Sequence, residues 1–326
     1  MKGSIALCLE MALFSCFTGV LLLLCNPVYS DEKSEIEAAI NSGLAWVMAH
    51  PATYQDGGFP DIVDEALFYS TVQRLSFDKA FDSLYEHAFE NCISRLEAAL
   101  ELEQRKEIRN NVLLEHYHRL LATYLIELVR KTTVDHGRVV AEAQHALVNN
   151  RYENPTFRLT VAVLLARLGA APQVNMSELL NSSLINRSQQ LFSNPGQPLN
   201  RSLFQHPLAY YAIVHEVAAL TDFGRLPVPP WLVERRNHIG RILQEGLRQA
   251  MIASDIDLLA ETILCNDMLR LPLTGELRRG VDFLLAAQRT DGSWGEQNTH
   301  RTNRTRHAAQ TATAALLAYK TTRQLY

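Results

Sequence analysis

The sequence predicts an all-α chain: a signal peptide, then six helical hairpins closed into an (α/α)6 toroid. Three observations predict it. Apolar residues recur at three-four spacing over segments of about 15 to 22 residues, the pattern of an amphipathic helix. No Val/Ile/Thr-rich run alternates at period two between turn signals, so no strand is expected. Charge-rich helices alternate with helices that are apolar nearly all round, and the latter must be surrounded by other elements. A double ring, with first helices outside and second helices lining the axis, produces that alternation. An open superhelix of hairpins is the other arrangement, but it should show clearer similarity between repeats and capping repeats.

The elements follow in order. Lys2 precedes an apolar stretch from Ile5 to Cys25, then Pro27 and Val28-Tyr29-Ser30 ahead of Asp31-Glu32-Lys33. This reads as a signal peptide over residues 1–30, cleaved after Ser30, leaving one domain over 31–326 exported to the periplasm or the medium. An uncleaved membrane anchor is the alternative, since about 20 residues can span a bilayer. With cleavage, no membrane span remains. The first hairpin runs over Glu35–His50, opened by a Ser34/Glu37 capping box, and Asp61–Leu75. The second comprises Asp82–Glu103 and Arg109–Lys131. The third is Val134–Asn149 and Pro155–Leu168, with Asn154 as N-cap and Pro155 at the first helical position. The fourth is Met176–Phe192 and Pro207–Thr221. The fifth is Pro230–Ala253 and Ile256–Leu271, capped by Ser254 or Asp255. The sixth is Gly275–Gln288 and Arg306–Tyr326. In the last of these, Ala308, Ala309, Ala312, Ala314, Ala315 and Ala318 allow close approach of neighbouring helices.

Composition narrows the function classes. Of 326 residues, 47% are hydrophobic and 20% charged, with a net charge of −4, so the chain can bury a sizeable core. No basic stripe or aromatic-interleaved patch is present, and no nucleic-acid partner is expected. Three of five cysteines lie in the leader. Cys92 and Cys265 remain, too few and too distant for a disulfide framework. Asn-x-Ser/Thr sequons stand at Asn175, Asn181, Asn186, Asn200 and Asn303, which matter only in a eukaryotic secretory route.

Between the last two helices stands Gln288-Arg289-Thr290-Asp291-Gly292-Ser293-Trp294-Gly295. It resembles the Gln-x-x-Asp-Gly-x-Trp-Gly element of terpenoid cyclases and protein prenyltransferase-like α/α toroids. In those proteins the element is structural, and the resemblance implies fold rather than chemistry. Gly292 permits a tight reversal, the glutamine amide can bond freed backbone groups, and the indole packs between hairpins. A degenerate copy, Asp56-Gly57-Gly58-Phe59, sits in the first hairpin, as expected if the first and last hairpins meet. The same superfamily includes cyclases whose acid lies in Asp-x-Asp-Asp at the start of a second helix. Here Asp255-Ile256-Asp257-Leu258 matches the place but lacks the last aspartate, and a Ser/Asp cap followed by acidic first-turn residues explains it better. The segment from His206 to Thr221-Asp222-Phe223-Gly224 is similar to one in bacterial toroid proteins.

If second helices line the axis, polar groups in their opening turns converge at one mouth. Asp61, Glu115, Thr156 and Tyr210 fall there. So do the residues singled out for chemistry, His215, Tyr211, Asp257, His307 and Asp64. His206, Arg158, Glu261 and His116 are the matching ligand-binding set. Acids, imidazoles and phenols in one cavity suit acid–base work, and an arginine suits a carboxylate. Tyr211 and His215 share a face at four-residue spacing. No cofactor follows from these residues, and no metal set is assigned. No His-x-x-x-His pair exists, so zinc ligands would have to be histidines and carboxylates.

Three functions remain open. One is a terpenoid-cyclase-like toroid holding a small molecule in its axial cavity. Another is a secreted lyase or hydrolase binding an acidic oligosaccharide. The third is a non-catalytic binding or scaffold protein.

Overall fold

The computed structural model describes residues 32–56, 58–76, 82–106, 113–132, 136–150, 154–191, 207–295 and 302–324. The leader and His206 lie outside the described residues. Among the described residues the chain is all-helical and contains no strand. It forms α1 (32–49), α2 (Gly58–Leu75), α3 (Asp82–Gln104), α4 (Leu113–Arg130), α5 (Gly137–Asn149), α6 (Pro155–Arg167), α7 (Met176–Ser182), α8 (Leu184–Leu191), α9 (Pro207–Leu220), α10 (Pro230–Ala253), α11 (Ile256–Met268), α12 (Gly275–Ala287) and α13 (Thr302–Gln324). No described helix is long and apolar enough to cross a membrane.

Local sequence sets most boundaries. The Asn154 side chain accepts the Thr156 amide at 3.0 Å, with Pro155 just inside α6. Asp255 caps α11 by accepting the Leu258 amide at 3.1 Å, while Ser254 ends α10 at φ +54°. Two expectations need correction. Ser34 lies inside α1 rather than capping it, because the helix already includes Glu32, which pairs with Arg278 and Arg323 at 2.9 and 2.6 Å. The single helix expected over 176–192 is two. Its axis breaks at Ser183, where a buried carboxylate from α9, Glu216, accepts the amides of Leu184 and Ile185 at 2.8 and 3.0 Å.

The second helices of the pairs contact one another in succession. α2 packs on α4, α4 on α6, α6 on α9, α9 on α11, α11 on α13 and α13 back on α2. First helices bridge them: α3 touches α2 and α4, α5 touches α4 and α6, and α10 touches α9 and α11. Alanines 308, 309, 312 and 315 of α13 are all buried, and His307, Thr311 and Thr322 meet Asp257 and Asp267 of α11. These six helices run in the same sense. Residues of their opening turns meet, as Tyr211 with Asp257 and His307 with Asp64. Residues of their closing turns also meet, as Arg74 with Asp267 at 3.0 Å and Tyr124 with Asp222 at 2.6 Å.

The first and last pairs of helices are in contact. Gln288 donates to the Ala39 carbonyl at 2.9 Å. Trp294 is fully buried, donates to the Leu284 carbonyl at 2.8 Å and sits against Gly43 of α1. Gly292 has φ +90°, and a methyl there would stand 2.4 Å from the Ser42 carbonyl oxygen. Arg306 donates to the His50 carbonyl and pairs with Asp61 at 3.1 Å.

Candidate functional site

A cavity of about 330 Å3 lies among the six second helices, and each contributes to it. Its lining follows helical spacing: 64, 67, 68 and 71 from α2; 114, 117 and 118 from α4; 156, 157 and 160 from α6; 211, 214, 215 and 218 from α9; 257, 261, 264 and 268 from α11; and 307, 310, 311 and 314 from α13. Titratable groups concentrate towards the opening turns, where Leu114 and Phe157 also line the cavity, and the side chains further along (Ala218, Leu264, Met268, Ala314) are apolar. Phe223 closes the apolar end. Beneath it, Asp222 accepts from Tyr124 and pairs with Arg225 at 3.7 Å, while Arg225 also donates to Ser70. Asp222 and Phe223 both hold φ +51°, and Gly224 holds φ +80°. The Thr-Asp-Phe-Gly turn therefore serves as the floor.

The polar end is a connected cluster. His307 Nε2 stands 3.2 Å from Asp257 Oδ1 and 3.9 Å from Glu261 Oε1, and its Nδ1 stands 3.6 Å from Asp64 Oδ2. His215 Nε2 lies 3.6 Å from Glu261 Oε2. Tyr211 donates to Asp255 at 3.0 Å and Asp257 at 3.4 Å, and Thr311 donates to Asp257 Oδ1 at 3.1 Å. The side chains of His307, Asp64 and Asp257 are about a third open to the cavity (37%, 33% and 28% exposed), whereas Glu261 keeps only 13%.

The surroundings split these groups' acidities. Burial pushes the Asp257 carboxyl above its ordinary range, with the His307 charge opposing. Burial would raise Glu261 too, but the charges of His215 and His307 hold it below the usual carboxylate range. Desolvation would lower both imidazoles. Asp257, Glu261 and Asp64 overcome it at His307, and Glu261 and Asp257 overcome it at His215, so both are raised. Burial raises the Tyr211 phenol, and the neighbouring carboxylates add to it. One cavity thus holds imidazoles favoured as cations beside one carboxylate favoured as the acid and another favoured as the anion, a set able to shuttle protons.

Six of the residues picked from sequence meet here: Asp64, Tyr211, His215, Asp257, Glu261 and His307. Two others sit elsewhere. His116 faces away, 2% exposed beside Arg119, because its position on α4 is nearly half a turn out of phase with the 114/117/118 stripe. Arg158 opens onto a separate surface pocket with Gln173, Asn175 and Glu178, since on α6 it stands nearly half a turn from the 156/157/160 stripe. The sequence reading also missed Tyr117, His118 and Gln310. For α4 the signal was available: Leu114 and His118 repeat the four-residue spacing of Tyr211 and His215.

A family model described as domain of unknown function (DUF6895) matches residues 90–323. The chain belongs to that family. The DUF6895 match spans five of the six cavity-lining helices, α4, α6, α9, α11 and α13, and leaves α2 with Asp64 before it. No curated protein and no solved structure matches the chain.

Proposed function

We propose that this protein is an (α/α)6 toroid, related in fold to the terpenoid cyclases, that binds and acts on a small amphipathic ligand in its axial cavity. One observation carries the reading: six helices from the whole length of the chain place side chains on one cavity, titratable at one end and apolar at the other. The ligand's apolar body lies against Phe68, Val214, Leu264 and Met268, and its polar head meets Asp64, Tyr211, His215, Asp257, Glu261 and His307. The volume falls at the lower end of small-molecule pockets, about 300–1,000 Å3. The pairing of first and last helices, and the circuit of second helices, support a closed ring over an open stack. The Gln288–Gly295 element supports the relationship to terpenoid cyclases. Cyclisation itself is not part of the proposal, because Leu258 stands where a third aspartate would hold the acid.

The acidic-oligosaccharide reading is less well supported. The described lining contains no lysine or arginine but has three carboxylates, and Arg158, its expected anchor, faces another surface. Export remains part of the proposal and rests on the leader sequence alone. It predicts a mature chain beginning at Asp31 by N-terminal sequencing.

Thermal unfolding with long-chain isoprenoid alcohols or with uronate oligosaccharides tests the cavity. Stabilisation by the alcohols is expected, and it should vanish in Ala314→Phe, which fills the apolar end, while that variant keeps its helical circular dichroism. Stabilisation by the uronates alone would replace this reading with the sugar one. No response to either class would leave a scaffold.

A further inference from the structure

We infer that Asp257, Glu261 and His307 form a binding site for one divalent cation of the zinc type, at the polar end of the cavity. Oxygens of Asp257 and Glu261 and a ring nitrogen of His307 all lie within 4.8 Å of one another. The closest pair, His307 Nε2 and Asp257 Oδ1, is 3.2 Å apart, and His307 Nε2 to Glu261 Oε1 is 3.9 Å. With bonds of about 2.0–2.1 Å, neighbouring ligands of a tetrahedral ion stand about 3.3 Å apart, so small side-chain movements would complete the site. Backbone geometry presents the three. Asp257 and Glu261 are four apart on one face of α11, and His307 of α13 stands against that face.

Features beyond proximity point to a ligand. Gln310, one turn after His307, is 3% exposed and lines the cavity, yet its amide nitrogen has no hydrogen-bond partner. A buried donor left over in this way needs an acceptor, and an oxygen completing an ion's shell would supply it. Glu261 Oε2 and His307 Nδ1 are buried without hydrogen bonds, each facing an opposite charge (His215 and Asp64) at 3.6 Å. His307 turns Nε2 to the two carboxylates while Nδ1 faces Asp64 at 3.6 Å, close enough for that carboxylate to orient the ring once an ion is bound. Thr311 and Tyr211 donate to Asp257 and fix it further. Donor type sets the class of ion. The neighbouring thiol is no ligand, since Cys265 is buried with its sulfur 3.6 Å from the Val214 carbonyl. One imidazole and two carboxylates suit zinc or a similar borderline ion better than magnesium.

This inference deepens the cavity reading and rests on it for location. The test uses purified, chelator-stripped full-length protein, dialysed against zinc and assayed by mass spectrometry, with cobalt substitution read by visible absorption. One zinc per chain is expected, with a cobalt spectrum of nitrogen and oxygen ligands. Asp257→Ala and His307→Ala should abolish uptake, and Asp64→Asn should weaken it about tenfold to a hundredfold. Circular dichroism checks folding, and His307→Gln is the gentler variant if the alanine form does not fold. Substoichiometric uptake by the unaltered chain, or equal uptake by folded Asp257 and His307 variants, would overturn the site and leave an ion-pair cluster. The alcohol titration, repeated in chelator, separates the two readings. Zinc uptake without an alcohol response sinks only the amphipathic ligand, and the reverse sinks only the metal.

Discussion

His116 makes the clearest single-residue prediction. It is 2% exposed, and neither ring nitrogen has a hydrogen-bond partner. Burial first, and then the Arg119 charge, lowers its pKa to about 4. The folded value lies below the unfolded one of about 6.5, so the unfolded chain takes up the proton first. The stability held by neutral His116 is therefore complete above about pH 6.5 and is lost as pH falls towards 4. The shift corresponds to about 3 kcal/mol. His116→Leu should remove that loss, so urea unfolding at pH 7 and pH 4.5 should show a smaller difference for the variant than for the parent chain. Equal differences would show that His116 does not titrate in this way. The same residue marks where sequence reading stops at this scale. His116 and His118 sit in one polar turn on diverging faces, and the spacing that ties His118 to Leu114 does not by itself say which of the two faces meets the cavity. Tyr211 with His215, and Asp257 with Glu261, were legible because four-residue spacing fixes a shared face whatever surrounds the helix.

Among elements, the break between α7 and α8 depends on a residue of another helix. Glu216 is fully buried, and its carboxylate accepts the Leu184 and Ile185 amides and the Thr156 hydroxyl. Burial raises its pKa despite those donors. Glu216→Ala leaves three donors without their acceptor, an expected loss of about 3 kcal/mol. Hydrogen exchange should localise the effect, with the Leu184 and Ile185 amides losing protection before the rest of α8. Protection unchanged at those two amides would mean α8 starts there for another reason. This is also why a single helix was expected over 176–192: the local periodicity is continuous, and the interrupting group lies some 30 positions away. Where caps are local, as at Asn154 and Asp255, the boundaries were readable.

At the scale of the whole molecule, the first and last hairpins meet at a tightly packed seam. Four residues meet there, Gly43, Gly292, Trp294 and Thr313, and two are glycines for steric reasons. A methyl on Gly43 would stand 2.3 Å from Thr313 Oγ1 and 2.9 Å from the Trp294 ring, and one on Gly292 would meet the Ser42 carbonyl. Gly292→Ala carries the added strain of φ +90°, so each substitution forces α1 away from the motif turn. A cost of about 2–4 kcal/mol is expected for Gly292→Ala, and somewhat less for Gly43→Ala, where the hydroxyl of Thr313 can turn away. Gly275→Ala is the control: it begins α12, and a methyl there meets nothing within 4 Å, so it should be neutral or slightly stabilising. The double variant decides whether the seam is one structural unit. If opening it once relieves both clashes, the combined loss should fall at least about 1 kcal/mol short of the sum, whereas independent sites would add. Additive losses in chemical denaturation would mean that the first and last hairpins yield separately, and that the contacts joining the chain's two ends do not act as one closure.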